Sequence, residues 1–287
     1  MTDHDFIIGG VKYRISAPFA LETEERWQRF SADFAEPDHC YRLSYLPGEP
    51  AFSGEETYGD GRVSCGLLEG KPLRVYYRSD HRAYASVLEQ SPELWEITLR
   101  QELLPWGSKV EHLFVPYGLP RSLLYHESLL LHGAYILTEY GAVVFTAPSG
   151  TGKTTQAELW RAHRGSRIIN GDRVILSLRD QRPMAHGMVH SGSSADCENV
   201  TAPLAAVVSL SQAKENTLTP LHGLQALRAL LRGTYLLPEF REDGDRLVRL
   251  AERLCRAVPV LHLACLPHVS ALELLEKELA ALGSAPF

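Results

Sequence analysis

Apolar and polar residues alternate through most of residues 40–100, in runs such as YRLSYL, LRVYYR, YASVLE and LWEITLR broken by Gly, Pro and Asp. A period of two of this kind predicts an antiparallel meander. Residues 5–18, DFIIGGVKYRISAP, set apolar and β-branched residues on both sides of Gly9-Gly10, which predicts a hairpin whose turn takes positive φ. Leu21, Trp27, Phe30 and Phe34 recur at near-helical spacing after early acidic residues, so residues 21–35 are expected to form a short amphipathic helix. A further helix is expected over 119–131.

The composition shifts at Leu129-Leu130-Leu131-His132-Gly133, and a boundary near residues 105–125 divides the chain into a smaller β-rich domain, 1–118, and a second domain, 119–287. AYILTEYGAVVFTAP reads as two buried runs around a polar turn at Thr138–Tyr140, and TTQAELWRAHRG as a helix stopped by Gly165. RIINGDRVILSLRD reads as two strands meeting at a tight turn. A polar loop at 182–202, the strand LAAVVSLS and helices at 222–233, 244–256 and 269–282 complete the order. Alternating strands and helices make the second domain α/β with a mixed sheet, and the whole chain α+β.

With 287 residues, 45% hydrophobic and 22% charged, the chain has a globular rather than disordered composition, with length for about two domains and a core that needs no staple. The net charge of −6 argues against broad binding of nucleic-acid backbones. Five cysteines without a C-x-x-C pair favour a reducing compartment over a disulfide framework or zinc site. The acidic start MTDHDFIIGG resembles no signal peptide, and no run approaches the roughly 18 apolar residues of a span. A cytoplasmic protein with no membrane or nucleic-acid partner is expected. Oligomerisation, including a homo-oligomer, stays open.

Residues 147–154, Ala-Pro-Ser-Gly-Thr-Gly-Lys-Thr, match G-x-x-x-x-G-K-[ST] at every fixed position except the first, where Ala147 replaces glycine. An apolar strand precedes the segment and a helix follows it, as a phosphate-binding loop requires. Gly150 and Gly152 let backbone amides turn inward around phosphate oxygens, and the following helix points its positive end there. Pro148, Ser149, Gly150, Thr151, Gly152, Lys153, Thr154 and Thr155 are therefore the expected nucleotide site, with Lys153 on the β and γ phosphates and the Thr154 hydroxyl on Mg²⁺.

Residues 132–210 resemble the HPr kinase/phosphorylase and phosphoenolpyruvate carboxykinase superfamily, and within it a serine-kinase-like bacterial branch. The likeness rests on His132-Gly133, TAPSGTGKTT at 146–155, IINGDRV at 168–174 and ENVTAPLAAVVSL at 198–210, with LRGTY at 231–235 more loosely. It implies ATP or another nucleoside triphosphate and Mg²⁺ as cofactors, with Lys153 and Thr154 on the phosphates and metal. Asp172 is implied as metal ligand and as the base for the acceptor hydroxyl, and His132 as a group near the transferred phosphate. The family carries two adjacent carboxylates where this chain has Gly171-Asp172.

Read from residues alone, Asn170-Gly171-Asp172 is equally an Asx-type turn, His132 a buried histidine, and Arg232 a solvated helix residue rather than a γ-phosphate ligand. Glu198 and Asn199 either shape an acceptor loop or serve turn chemistry, Arg173 rivals Arg232, and His190 reads as a solvated loop residue. Two functions follow. The first is an ATP-dependent phosphotransferase acting on a Ser or Thr hydroxyl of a peptide or small protein, such as a ribosomal peptide precursor, recognised by strand addition to the N-terminal domain. The second is a nucleotide-binding regulatory or scaffold protein that lacks transfer because Gly171 replaces a carboxylate.

Overall fold

The computed structural model describes residues 1–103, 109, 118–192, 194–235 and 240–283. It is an α/β chain with two mixed sheets. By internal packing it divides into Met1–His126 with Leu237–Asp245, and Glu127–Leu236 with Arg246–Phe287. The boundary expected at 105–125 falls largely outside the described residues.

The first unit is built on one eight-stranded sheet. β1 (Thr2–Ile8) and β2 (Val11–Ala17) form the expected hairpin, with Gly9 and Gly10 both at positive φ. The sheet continues with β3 (His39–Leu46) and then, in spatial order, β8 (Leu94–Arg100), β7 (Ala83–Ser91), β6 (Lys71–Tyr77), β5 (Val63–Leu68) and β4 (Glu55–Gly59). β4 to β8 are the antiparallel meander, but β3 runs parallel to both β2 and β8, which the alternation did not indicate.

The helix expected at 21–35 is reduced to α1 (Glu25–Gln28). Trp27 and Phe30 are buried as their spacing suggested, yet the Phe30 carbonyl and the Ala32 amide bond to β1, so tertiary pairing ends the helix after one turn. The helix expected over 119–131 likewise stops early. α2 (Leu119–Tyr125) packs within the first unit, where Ser122 Oγ bonds the buried Tyr13 and Tyr41 hydroxyls, and the chain then becomes a strand.

The second unit contains β9 (Ser128–Thr138) and β10 (Gly141–Thr146), a hairpin about the expected turn. α3 (Lys153–Arg164) follows and ends at Gly165, whose φ of 66° gives a left-handed cap. β11 (Arg167–Asn170) and β12 (Arg173–Arg179) do not pair with each other as a hairpin. They lie end to end along β9, opposite Tyr135–Leu137 and Ser128–His132, and Asn170-Gly171-Asp172 is the irregularity between them.

Within the expected loop at 182–202 lies β13 (Arg182–His186), hairpinned to β12 through Asp180 and Gln181. β14 (Thr201–Gln212) lies between β10 and β16 (Val260–Cys265), parallel to both, and β15 (Thr217–Leu221) closes the edge; β15 and β16 were not anticipated. α3 and α6 (Val269–Gly283) bury Trp160, Leu272 and Leu275 against Phe145, Val208 and Leu263. α4 (Gly223–Leu231) packs on β14 and β16, and α5 is Arg241–Ala257. Among the described residues no helix is long and apolar enough to cross a membrane, and all five cysteines are free thiols.

Candidate functional site

β10 delivers the chain to the loop at Thr146, and α3 leaves it at Lys153. Gly150 and Gly152 sit at φ of 77° and 118° with nothing within 4 Å of a built Cβ, so backbone conformation and not crowding calls for glycine. Ala147 has no such φ, and its side chain packs on the core of the unit, which is why alanine serves at the first position. No side chain caps α3, so its first amides have no competing carboxylate or hydroxyl acceptor.

Lys153 is 7% exposed. Its ammonium donates to the carbonyls of Ala147 at 2.9 Å and Pro148 at 3.3 Å, folding back over the loop. Burial lowers its pKa, and the charge of Asp172 opposes that shift. Thr154 and Thr155 are exposed on the first turn of α3.

Asn170 takes the turn chemistry at the step between β11 and β12. Its Oδ1 accepts from the amides of Asp172 at 3.0 Å and Arg173 at 2.8 Å, while Nδ2 donates to the carbonyls of Met188 and His190. Asp172 is thus not the Asx residue, and its half-buried carboxylate faces other side chains. Oδ1 lies 3.3 Å from His132 Nδ1 and Oδ2 lies 3.4 Å from Arg173 Nε.

The backbone of Gly192 presses on the same carboxylate: a Cβ there would stand 2.8 Å from Asp172 Cγ. His132 is lowered in pKa by burial first and by the Lys153 charge second, with Asp172 opposing, so its neutral form is favoured. Lys153, Asp172 and His132 therefore form one electrostatic neighbourhood.

Beside the loop lies a cleft of about 650 Å³, whose walls include Pro148, Ser149, Gly150, Thr151, Arg228 and Arg232. Gly233 fixes this wall: its carbonyl accepts from the His132 amide at 2.6 Å, and a Cβ would meet Thr146 Oγ1 at 2.4 Å. Arg232 thus lies in the cleft, whereas Arg173 pairs with Asp172 and stacks on Tyr235.

Glu198 and Asn199 do not line the cleft. Glu198 pairs with Arg167 at the opposite end of β11 from Asp172, and Asn199 follows it in the loop before β14. Sequence reasoning missed Arg228, which lies one turn before Arg232 and which only the fold sets on the cleft. It also missed Gln212, which donates to the Gly150 carbonyl at 3.3 Å. Among the described residues no cluster of three or more His, Cys, Asp or Glu could hold a metal by itself.

No family model matches the chain, and no curated protein matches it. Among solved structures it is similar to the Hpr(Ser) kinase/phosphatase from Coxiella burnetii, at 14% identity over 53% of this chain and 93% of that chain, with a TM-score of 0.30.

Proposed function

We propose that the chain is an ATP- and Mg²⁺-dependent phosphotransferase acting on a hydroxyl, a Ser or Thr of a peptide or small protein such as a ribosomal peptide precursor. The observation that carries this reading is the convergence of Lys153 with the Asp172–His132 pair beside a glycine-shaped, uncapped phosphate loop. Phosphoryl transfer asks mainly for positioning and charge stabilisation, and these groups supply both.

In this reading the loop amides and the start of α3 hold the inner phosphates. Lys153 turns from the Ala147 and Pro148 carbonyls to the β and γ phosphates. The acceptor oxygen bonds to the γ phosphorus as the bridging bond to the β phosphate breaks, ADP leaves with that electron pair, and Asp172 takes the hydroxyl proton. His132, with its neutral form favoured, stands 3.3 Å from the same carboxylate through Nδ1.

Mg²⁺ is content with one or two protein oxygens and fills its remaining positions with water and phosphate, and the exposed Thr154 hydroxyl and partly exposed Asp172 carboxylate are oxygen donors of that kind. Thr154 and Asp172 would hold it, and it would neutralise phosphate charge. The edge strand β4 of the first sheet offers backbone to an extended acceptor peptide, whereas the outer side of β1 is already bonded to Phe30 and Ala32.

A second reading, nucleotide binding without transfer, is favoured by one observation. A Cβ at Gly171 would stand 2.5 Å from Ser194 Oγ, so the loop fills the place of the absent carboxylate. Incubation with Mg·ATP and a Ser/Thr peptide library, read by mass spectrometry, separates the two. Transfer abolished by Asp172→Asn supports the kinase; nucleotide binding with no phosphorylated peptide supports the regulator.

A further inference from the structure

The cleft beside the loop has two positively polarised walls. One is the loop itself, with its backbone amides. The other is α4, on which Arg228 and Arg232 stand one turn apart on a single helix face, and both line the cavity. Among the described residues neither guanidinium has an ion pair or hydrogen bond, and the cleft has no Asp or Glu in its lining.

A surface arginine is ordinarily solvated or paired with a carboxylate. Two that face one cavity without any counter-charge leave an anion as the fitting occupant. The end of α4 cannot drift from the loop, because the Gly233 backbone is packed against Thr146 and bonded to His132. The same contacts set the C-terminal end of α4 beside Thr146, where β10 enters the loop, and both arginines share a cleft with loop residues 147–151.

We propose that Arg228 and Arg232 form a second phosphate subsite that engages the terminal phosphate of a nucleoside triphosphate whose inner phosphates occupy the loop. The pair thereby selects triphosphate over diphosphate and lets the diphosphate product leave. This rests on the nucleotide reading of the loop.

Calorimetric titration of the full chain with Mg·ATP, its non-hydrolysable analogue and Mg·ADP tests it, in wild type and in the double variant Arg228→Gln/Arg232→Gln, with melting curves as the folding control. Triphosphate affinity is expected to fall roughly tenfold or more while diphosphate affinity stays within about twofold. The Arg→Lys pair is expected to recover part of the loss, since charge returns without the planar fork. Equal losses for ATP and ADP, or no loss for either, would overturn the proposal and leave the nucleotide reading standing. Failure of wild type to bind either nucleotide would overturn both.

Discussion

Ser194 stands where a side chain at Gly171 would go, with its Oγ 2.5 Å from the position of a built Cβ and its Cβ at 2.8 Å. Position 171 is therefore closed by packing, since its φ is not in the left-handed range. Gly171→Asp alone is expected to destabilise the protein by about 1–3 kcal/mol, the ordinary range for overpacking. Gly171→Asp with Ser194→Gly should recover most of that in a thermal melt. Equal melting points for the single and double variants would contradict the account.

Gly233 poses a similar constraint for a different reason. A Cβ there would meet Thr146 Oγ1 at 2.4 Å and Leu131 Cδ1 at 2.8 Å. Gly233→Ala should cost about 1–3 kcal/mol and also weaken triphosphate binding, because α4 must back away from the loop. Stability and affinity measured on one preparation check both effects.

His186 predicts a pH response. It is 4% exposed, bonded to Ser177 and Thr201 hydroxyls, and pushed down to about 4 by burial first and by Arg179 second. A histidine whose native pKa lies below its unfolded value of 6.5 stabilises the native state fully above that pH, and the contribution is lost as pH falls toward 4. The limit is about 1.4 kcal/mol per unit of depression. His186→Gln should lower stability at neutral pH yet flatten its decline between pH 6.5 and 4; an unchanged slope in denaturant titrations would refute the assignment.

Asp172 and Lys153 are expected to separate binding from transfer. Asp172→Asn keeps the shape of the step and its Asn170 bonds to backbone but removes one metal oxygen's charge, so Mg·nucleotide affinity should fall far less than transfer, which drops by roughly a hundredfold or more. Paired titration and turnover assays read the split.

Much of the candidate site was legible because its chemistry is local. Loop glycines, Lys153 and the strand before them must be adjacent in sequence, and Gly9-Gly10 and Gly165 announce their turns in the same way. The parallel pairing of β3 was not legible, since parallel partners are distant in sequence and nothing in the strand's own alternation tells parallel from antiparallel. Trp27 and Phe30 gave a helical period that β1 overrode by hydrogen bonding. β15 and β16 are short apolar runs between helices, and a period cannot be read from so few residues. Arg228 looked like any solvated helix residue until the fold set it on the cleft beside Arg232.

The central claim is that residues 147–155 hold a nucleoside triphosphate, and calorimetric titration of wild type and Lys153→Ala with Mg·ATP tests it most directly. The account predicts measurable binding to wild type and a loss of roughly tenfold or more in the variant, whose melting point stays close to wild type. Equal affinities for the two proteins, or no heat with either, would contradict it.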